Sequence, residues 1–173
     1  MFDEEIDYIE DRKLRKLAKR LVEGMPSYFF DIPASSSGKY HPQYALGEGG
    51  LYRHTKAAIR IAISLLNLEQ HAGLPKDHII IALIVHDAFK QGAERTDRTV
   101  TENPWLSSNY VRNFDYKNKN DLSLIASLIE SHMGQWTGDI LPKPETDAQK
   151  FVHLCDYLAS RKFIEVTTEG EID

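Results

Sequence analysis

Cysteine is almost missing: Cys155 stands alone among 173 residues, so no intrachain disulfide can form and a reducing compartment fits. No apolar run approaches the roughly 20 residues of a membrane span. The longest, Ile79 to Val85, is followed at once by His86, Asp87 and then Lys90. Basic charge is in deficit, with 21 Lys and Arg against 26 Asp and Glu and a net charge of −5. That weighs against a strong, autonomous nucleic-acid binder, though not against a local basic pocket. No alternating strand pattern extends beyond a few residues, and no internal repeat is found. The opening residues Met1-Phe2-Asp3-Glu4-Glu5 are acidic, with no apolar segment of the kind that marks a signal peptide. These absences leave an all-α, cytoplasmic protein with no membrane segment. A chain of 173 residues with 42% apolar side chains suffices for one domain with a real core.

Helical spacing organises what is present. Residues 4–22 read as an amphipathic packing helix carrying Ile6, Ile9, Leu14, Leu17, Leu21 and Val22, ended by Gly24 and Pro26. Residues 27–50 form a long loop, rich in Tyr and Phe and so expected to be ordered and to border the active site. Its Ser35-Ser36-Ser37-Gly38-Lys39 lacks the full phosphate-loop pattern. The core is expected over 51–165. A helix over 51–69 puts His54 on its apolar stripe with Leu51, Ala58, Ile61, Leu65 and Leu68. A buried helix from Lys76-Asp77 to about Lys90 delivers His86 and Asp87. Pro104 opens another helix. Residues 121–133 bring Leu128 and His132 to one side. A last helix from Glu145 aligns Ala148, Val152, Asp156, Ala159 and Phe163, and an acidic tail over 166–173 is expected to fray.

Four helices thus each turn a ligand-type side chain inward: His54, His86 with Asp87, His132, and Asp156. One histidine on an apolar stripe is more often a satisfied core residue, and a buried aspartate often has an arginine partner. Four such positions together are better explained by a shared divalent cation, which offsets the desolvation of all of them at once. Lys90, one turn past His86, is expected either toward the same cleft, where it would neutralise a bound anion such as phosphate, or as a solvated surface cation. Lys39 and the Arg161-Lys162 pair are further phosphate-clamp candidates, with solvated surface cations as the plainer reading. His153 reads as a supporting residue, and His71 and His78 as surface residues. Trp105, Trp136, Tyr110 and Tyr157 fit either a base-stacking pocket or core packing.

The ordered set His54, His86-Asp87, and Asp156 in Leu154-Cys155-Asp156-Tyr157-Leu158 resembles the signature of the HD-domain metal-dependent phosphohydrolases. Gly49-Gly50-Leu51-Tyr52-Arg53-His54-Thr55, Tyr40-His41-Pro42, Glu130-Ser131-His132-Met133-Gly134 and Pro142-Lys143-Pro144-Glu145 are similar to motifs of the branch that includes the HD-type 3′–5′ exoribonucleases. The resemblance spans about residues 30–162. It implies a single HD-type helical bundle in which His54, His86, Asp87 and Asp156 hold a first divalent metal. Asp87 would bridge to a second ion liganded by His132. Many two-metal members carry a histidine where Asn103 stands; its amide oxygen would be a weaker ligand than imidazole, so a second site of His132 with Asn103 stays open here. The metal would be Mn, Fe, Co, Ni or Mg, one or two per chain. Asp87 and Lys90 would be the catalytic pair, with Lys90, Lys39, His41 and Arg161 on substrate. The expected activity is hydrolysis of a nucleotide phosphoester or phosphoanhydride by metal-activated water. A 3′–5′ exonuclease on single-stranded RNA or DNA and a non-catalytic nucleotide-binding domain are the alternatives. Homo-oligomerisation is left open.

Overall fold

A computed structural model describes residues 1–136, 138 and 141–170. Among them are seven α-helices and no strand: α1 (Asp3–Asp7), α2 (Arg12–Glu23), α3 (Gly50–Leu66), α4 (Lys76–Val85), α5 (Asn103–Arg112), α6 (Lys119–Glu130) and α7 (Asp147–Ala159). Helix α4 is the axis. Ile79 through Val85 are all fully buried, because α2, α3, α6 and α7 pack around it. A helix covered on every side has no need of a polar face, which is why this stretch is apolar all round. Each large aliphatic side chain buried there contributes about 2 kcal/mol of hydrophobic stabilisation. No helix among the described residues is long and apolar enough to cross a membrane.

The N-terminal segment, expected as one helix, is two. Asp11 stops the pattern by capping α2, its carboxylate accepting from the amides of Lys13 and Leu14. The break is pinned from outside by Asp77 on α4, which accepts from the amides of Glu10 and Asp11 at 2.9 Å each. Of the tail expected to fray over 166–173, the stretch to Gly170 is docked, and 171–173 lie outside the described residues. Arg60, 7% exposed, donates to the carbonyls of Thr167, Glu169 and Gly170 while pairing with Glu4 and Glu5 of α1. Phe163, expected on the buried stripe of α7, lies past that helix and is 90% exposed. The helix itself starts two residues later than Glu145, with Thr146 and Gln149 forming a capping box.

The long loop is ordered, as its aromatics imply. Short 3₁₀ turns cover Ser27–Phe30 and Gln43–Ala45. Ala34 N–H bonds Ala45 O at 3.0 Å and Leu51 N–H bonds Ile32 O at 2.9 Å, which staples the loop to the start of α3. The Arg53 guanidinium gathers three of its carbonyls, those of Tyr44, Leu46 and Glu48.

Cys155 lies on the inner face of α7 with no exposed surface. The native thiol is therefore expected to resist iodoacetamide at pH 8 and to label fully in urea; mass spectrometry of both samples checks this, and rapid native labelling would contradict the packing of α7.

Candidate metal centre

Two histidines are set by the same local device. Helix α4 ends at Val85 rather than near Lys90, and residues 86–95 continue as turns. His86 sits at the helix end and its Nδ1 approaches Leu83 O at 2.6 Å. His132 follows the end of α6, and its Nδ1 approaches Ile129 O at 2.7 Å. The last carbonyls of a helix lack intrahelical partners, and each imidazole satisfies one. A carbonyl only accepts, so each Nδ1 carries a hydrogen and each ring turns its Nε2 inward. Both Nε2 atoms are buried without a hydrogen-bond partner. That is the arrangement of metal-ligating imidazoles, whose other nitrogen is held by a backbone carbonyl or carboxylate.

The remaining groups arrive from three directions. Helix α3 brings His54, whose Nε2 lies 2.9 Å from Asp156 Oδ1 on α7. His86 Nε2 is 3.5 Å from both Asp156 Oδ1 and Asp87 Oδ2, and His132 Nε2 is 3.7 Å from Asp87 Oδ1. Ligand atoms of His54, His86 and Asp87 lie within 4.8 Å of one another, as do those of His86, His132 and Asp156. All five residues predicted from the sequence therefore meet at one place.

Their electrostatics oppose one another. Burial raises both aspartates, but this is outweighed: Lys90, His86 and His132 hold Asp87 low, and the hydrogen bond with His54, with the His86 imidazole close by, holds Asp156 well below the carboxylate range. Burial disfavours the charged form of His86, yet Asp87 and Asp156 raise it overall. His132 is pushed down, by burial first and by His86 second, and stays a neutral donor of a lone pair. Two anionic carboxylates packed against inward-facing imidazole nitrogens suit a divalent cation, and the donor set fits one.

The other predicted residues divide. Lys90 lines the cavity above this cluster and pairs directly with Asp87 Oδ2. His41, from the long loop, packs its ring 5.4 Å from that of His54 and buries an unpartnered Nδ1. Its pKa is pushed down to about 4 by burial, then by His54 and Lys90. Arg161 lines the same cavity. Lys39 does not; it is exposed, its Nζ over the ring of Tyr40. Asn103 departs from expectation in a specific way. Its amide nitrogen donates to Asp87 Oδ1 at 2.6 Å, and its oxygen accepts from Ser107 Oγ at 3.2 Å. The oxygen expected as a weak ligand is thus engaged elsewhere, and the residue orients Asp87. Ser107, which the sequence reading passed over, stands one turn along α5, and that i, i+4 pair of small polar residues was its signal.

Of the other histidines, His153 supports the site by bonding His132 O through Nδ1 at 2.7 Å. His78 and His71 are half-buried rather than on the surface, bonded to Asp121 and Leu65 O. Among the aromatics, Trp136 and Tyr157 line the cavity, whereas Trp105 is exposed on α5 and Tyr110 bonds Leu21 O. The cavity has a volume of about 570 Å³, within the range of small-ligand sites. Compared with known protein families, curated proteins and solved structures, the chain matches none.

Proposed function

We propose that this chain is a divalent-metal-dependent phosphohydrolase that cleaves a phosphoester or phosphoanhydride of a nucleotide. The observation that carries the reading is the pair of buried, unpartnered Nε2 atoms of His86 and His132, facing the carboxylates of Asp87 and Asp156. The resemblance of the His54, His86-Asp87 and Asp156 order to the HD-domain phosphohydrolases supports it independently. His54, His86, Asp87 and Asp156 would hold the ion, with His132 on the far side of Asp87. Mn, Fe, Co, Ni or Mg suits this mixture better than tetrahedral zinc. A metal held there supplies Lewis-acid polarisation of a phosphoryl oxygen and an acidified water.

The chain's own groups account for the rest. Asp87 spreads its two oxygens, Oδ1 toward Asn103 and His132, Oδ2 toward Lys90 and His86. A water held on the floor of the cavity would find in Asp87 a carboxylate able to take its proton. Lys90 places an ammonium beside that floor, where a bound phosphate gains from its charge. The walls leave room for one small phosphoester. Buried, reduced Cys155 suits a cytoplasmic setting.

The test is elemental analysis of the purified protein, followed by a panel of dNTPs, nucleoside monophosphates and a labelled oligonucleotide. Near-stoichiometric metal and phosphate release from monomers, with the oligonucleotide intact, is the expected result. Shortening of the oligonucleotide from its 3′ end would replace this substrate by single-stranded nucleic acid. Bound nucleotide without turnover, under every metal, would leave a binding domain.

A further inference from the structure

The floor of the cavity is ionic, but one wall is aromatic. Trp136 and Tyr157 lie parallel, 10° apart with centroids at 5.6 Å. The Arg161 guanidinium sits 4.4 Å over the Tyr157 ring and 5.9 Å from that of Tyr40. Trp136 is 50% exposed and Tyr40 56% exposed, although both line the cavity. Single exposed aromatics are ordinary on a surface. Here they converge with a third ring on one cavity, whose more buried lining includes His54, His132, Asp87 and Lys90.

Arg161 is anchored beside this wall. Its Nε and Nη2 donate to Ser160 Oγ at 3.2 and 2.9 Å, and among the described residues no carboxylate pairs with it. A guanidinium held over a ring, with donor capacity left over, suits the hydrogen-bond-accepting carbonyl or ring-nitrogen edge of a heterocycle. We infer that Trp136, Tyr157 and Tyr40 form a base-binding wall, with Arg161 at the base edge. The cavity then selects a mononucleotide over a phosphoester lacking a planar ring. This rests on the phosphohydrolase reading for the placement of the phosphate, at the Lys90 end. The volume accommodates one nucleotide, and the polarity runs the right way: anion to the metal-ligand floor, flat apolar ring to the mouth. Arg161 moves from the phosphate clamp expected of it to a specificity-determining position.

Trp105→Phe leaves Trp136 as the one tryptophan, since the chain has 2. In that background, AMP added to Mn²⁺-loaded protein is expected to quench the fluorescence, and ribose 5-phosphate to leave it unchanged. By calorimetry, Trp136→Ala should weaken AMP binding at least about 10-fold, the scale of one base–aromatic stack. Ribose 5-phosphate affinity should hold within about 2-fold, and Trp136→Phe should restore most of the AMP affinity. Equal weakening of both ligands, or no weakening of AMP, overturns the wall. Failure of the phosphohydrolase reading looks different: Trp136-dependent AMP binding with no phosphate released. Turnover of AMP and ribose 5-phosphate alike, indifferent to Trp136, removes the wall and leaves the hydrolase.

Discussion

Asp87→Asn is expected to abolish metal-dependent stabilisation and phosphate release together. The substitution keeps shape and removes charge at a buried side chain that touches Lys90, Asn103, His86 and His132. Outer-shell changes at metal sites already cost about 10- to 100-fold in affinity, so loss of a ligand carboxylate should cost at least about 100-fold. A ligand at 100 times its Kd stabilises by about 2.7 kcal/mol. For a chain of this size that corresponds to a Tm gain of about 5–10 °C. Differential scanning fluorimetry with Mn²⁺, Co²⁺, Ni²⁺ and Mg²⁺ in turn should show this gain for the native protein with at least one ion, and less than about 1 °C for the variant. A purely structural ion-pair network makes the opposite forecast. Breaking a buried pair typically costs about 3–5 kcal/mol, so the variant would melt far lower without metal, and metal would shift neither protein. That pattern would remove the metal centre.

The readable part of this site was its chemistry by position. His54, His86 and Asp156 fell on apolar stripes, where an ionisable group is expensive, and the expense itself pointed inward. The direction of each ring was not readable. It depends on where α4 and α6 end, and the spacing had run α4 on to Lys90, past the point where His86 turns back to Leu83 O. Asn103 shows the same limit. An amide offers an oxygen and a nitrogen alike, and only Ser107 and Asp87, its neighbours in space, decide which one faces the cluster. The split of the N-terminal helix was hidden for a third reason. Asp11 looks like one more charge on a wet face until Asp77, 66 residues away, is seen holding the amides beside it. All-helical architecture was legible because no strand period competes with the helical one. The docking of the tail onto Arg60 was not, since main-chain carbonyls leave no trace in residue identity.

Gly50→Ala should damage fold and site together, by crowding alone. Gly50 is the buried first residue of α3, and a Cβ there would stand 2.3 Å from Ala45 O, 2.7 Å from Ala45 C and 3.1 Å from Pro33 Cα. All three are main-chain atoms, so no flexible side chain can give way. Ala45 O already accepts from Ala34 N–H at 3.0 Å, and moving it breaks the staple that shapes the long loop. That loop carries Tyr40 and His41 to the mouth, and α3 carries His54 one turn beyond Gly50. Overpacking typically costs about 1–3 kcal/mol, and with the lost loop bond the upper end, about 3 kcal/mol, is expected. Tm should fall by about 6–12 °C, and metal affinity should weaken as His54 shifts. Gly47→Ala separates crowding from backbone strain. Its φ of +66° is unfavourable for alanine, but nothing lies within 4 Å of the added Cβ. It should cost only about 1–2 kcal/mol and leave metal affinity unchanged. Thermal melts with metal titrations of both variants decide the matter. If Gly50→Ala melts within about 2 °C of the native protein and binds metal as tightly, the close approach of the loop to α3 does not position His54.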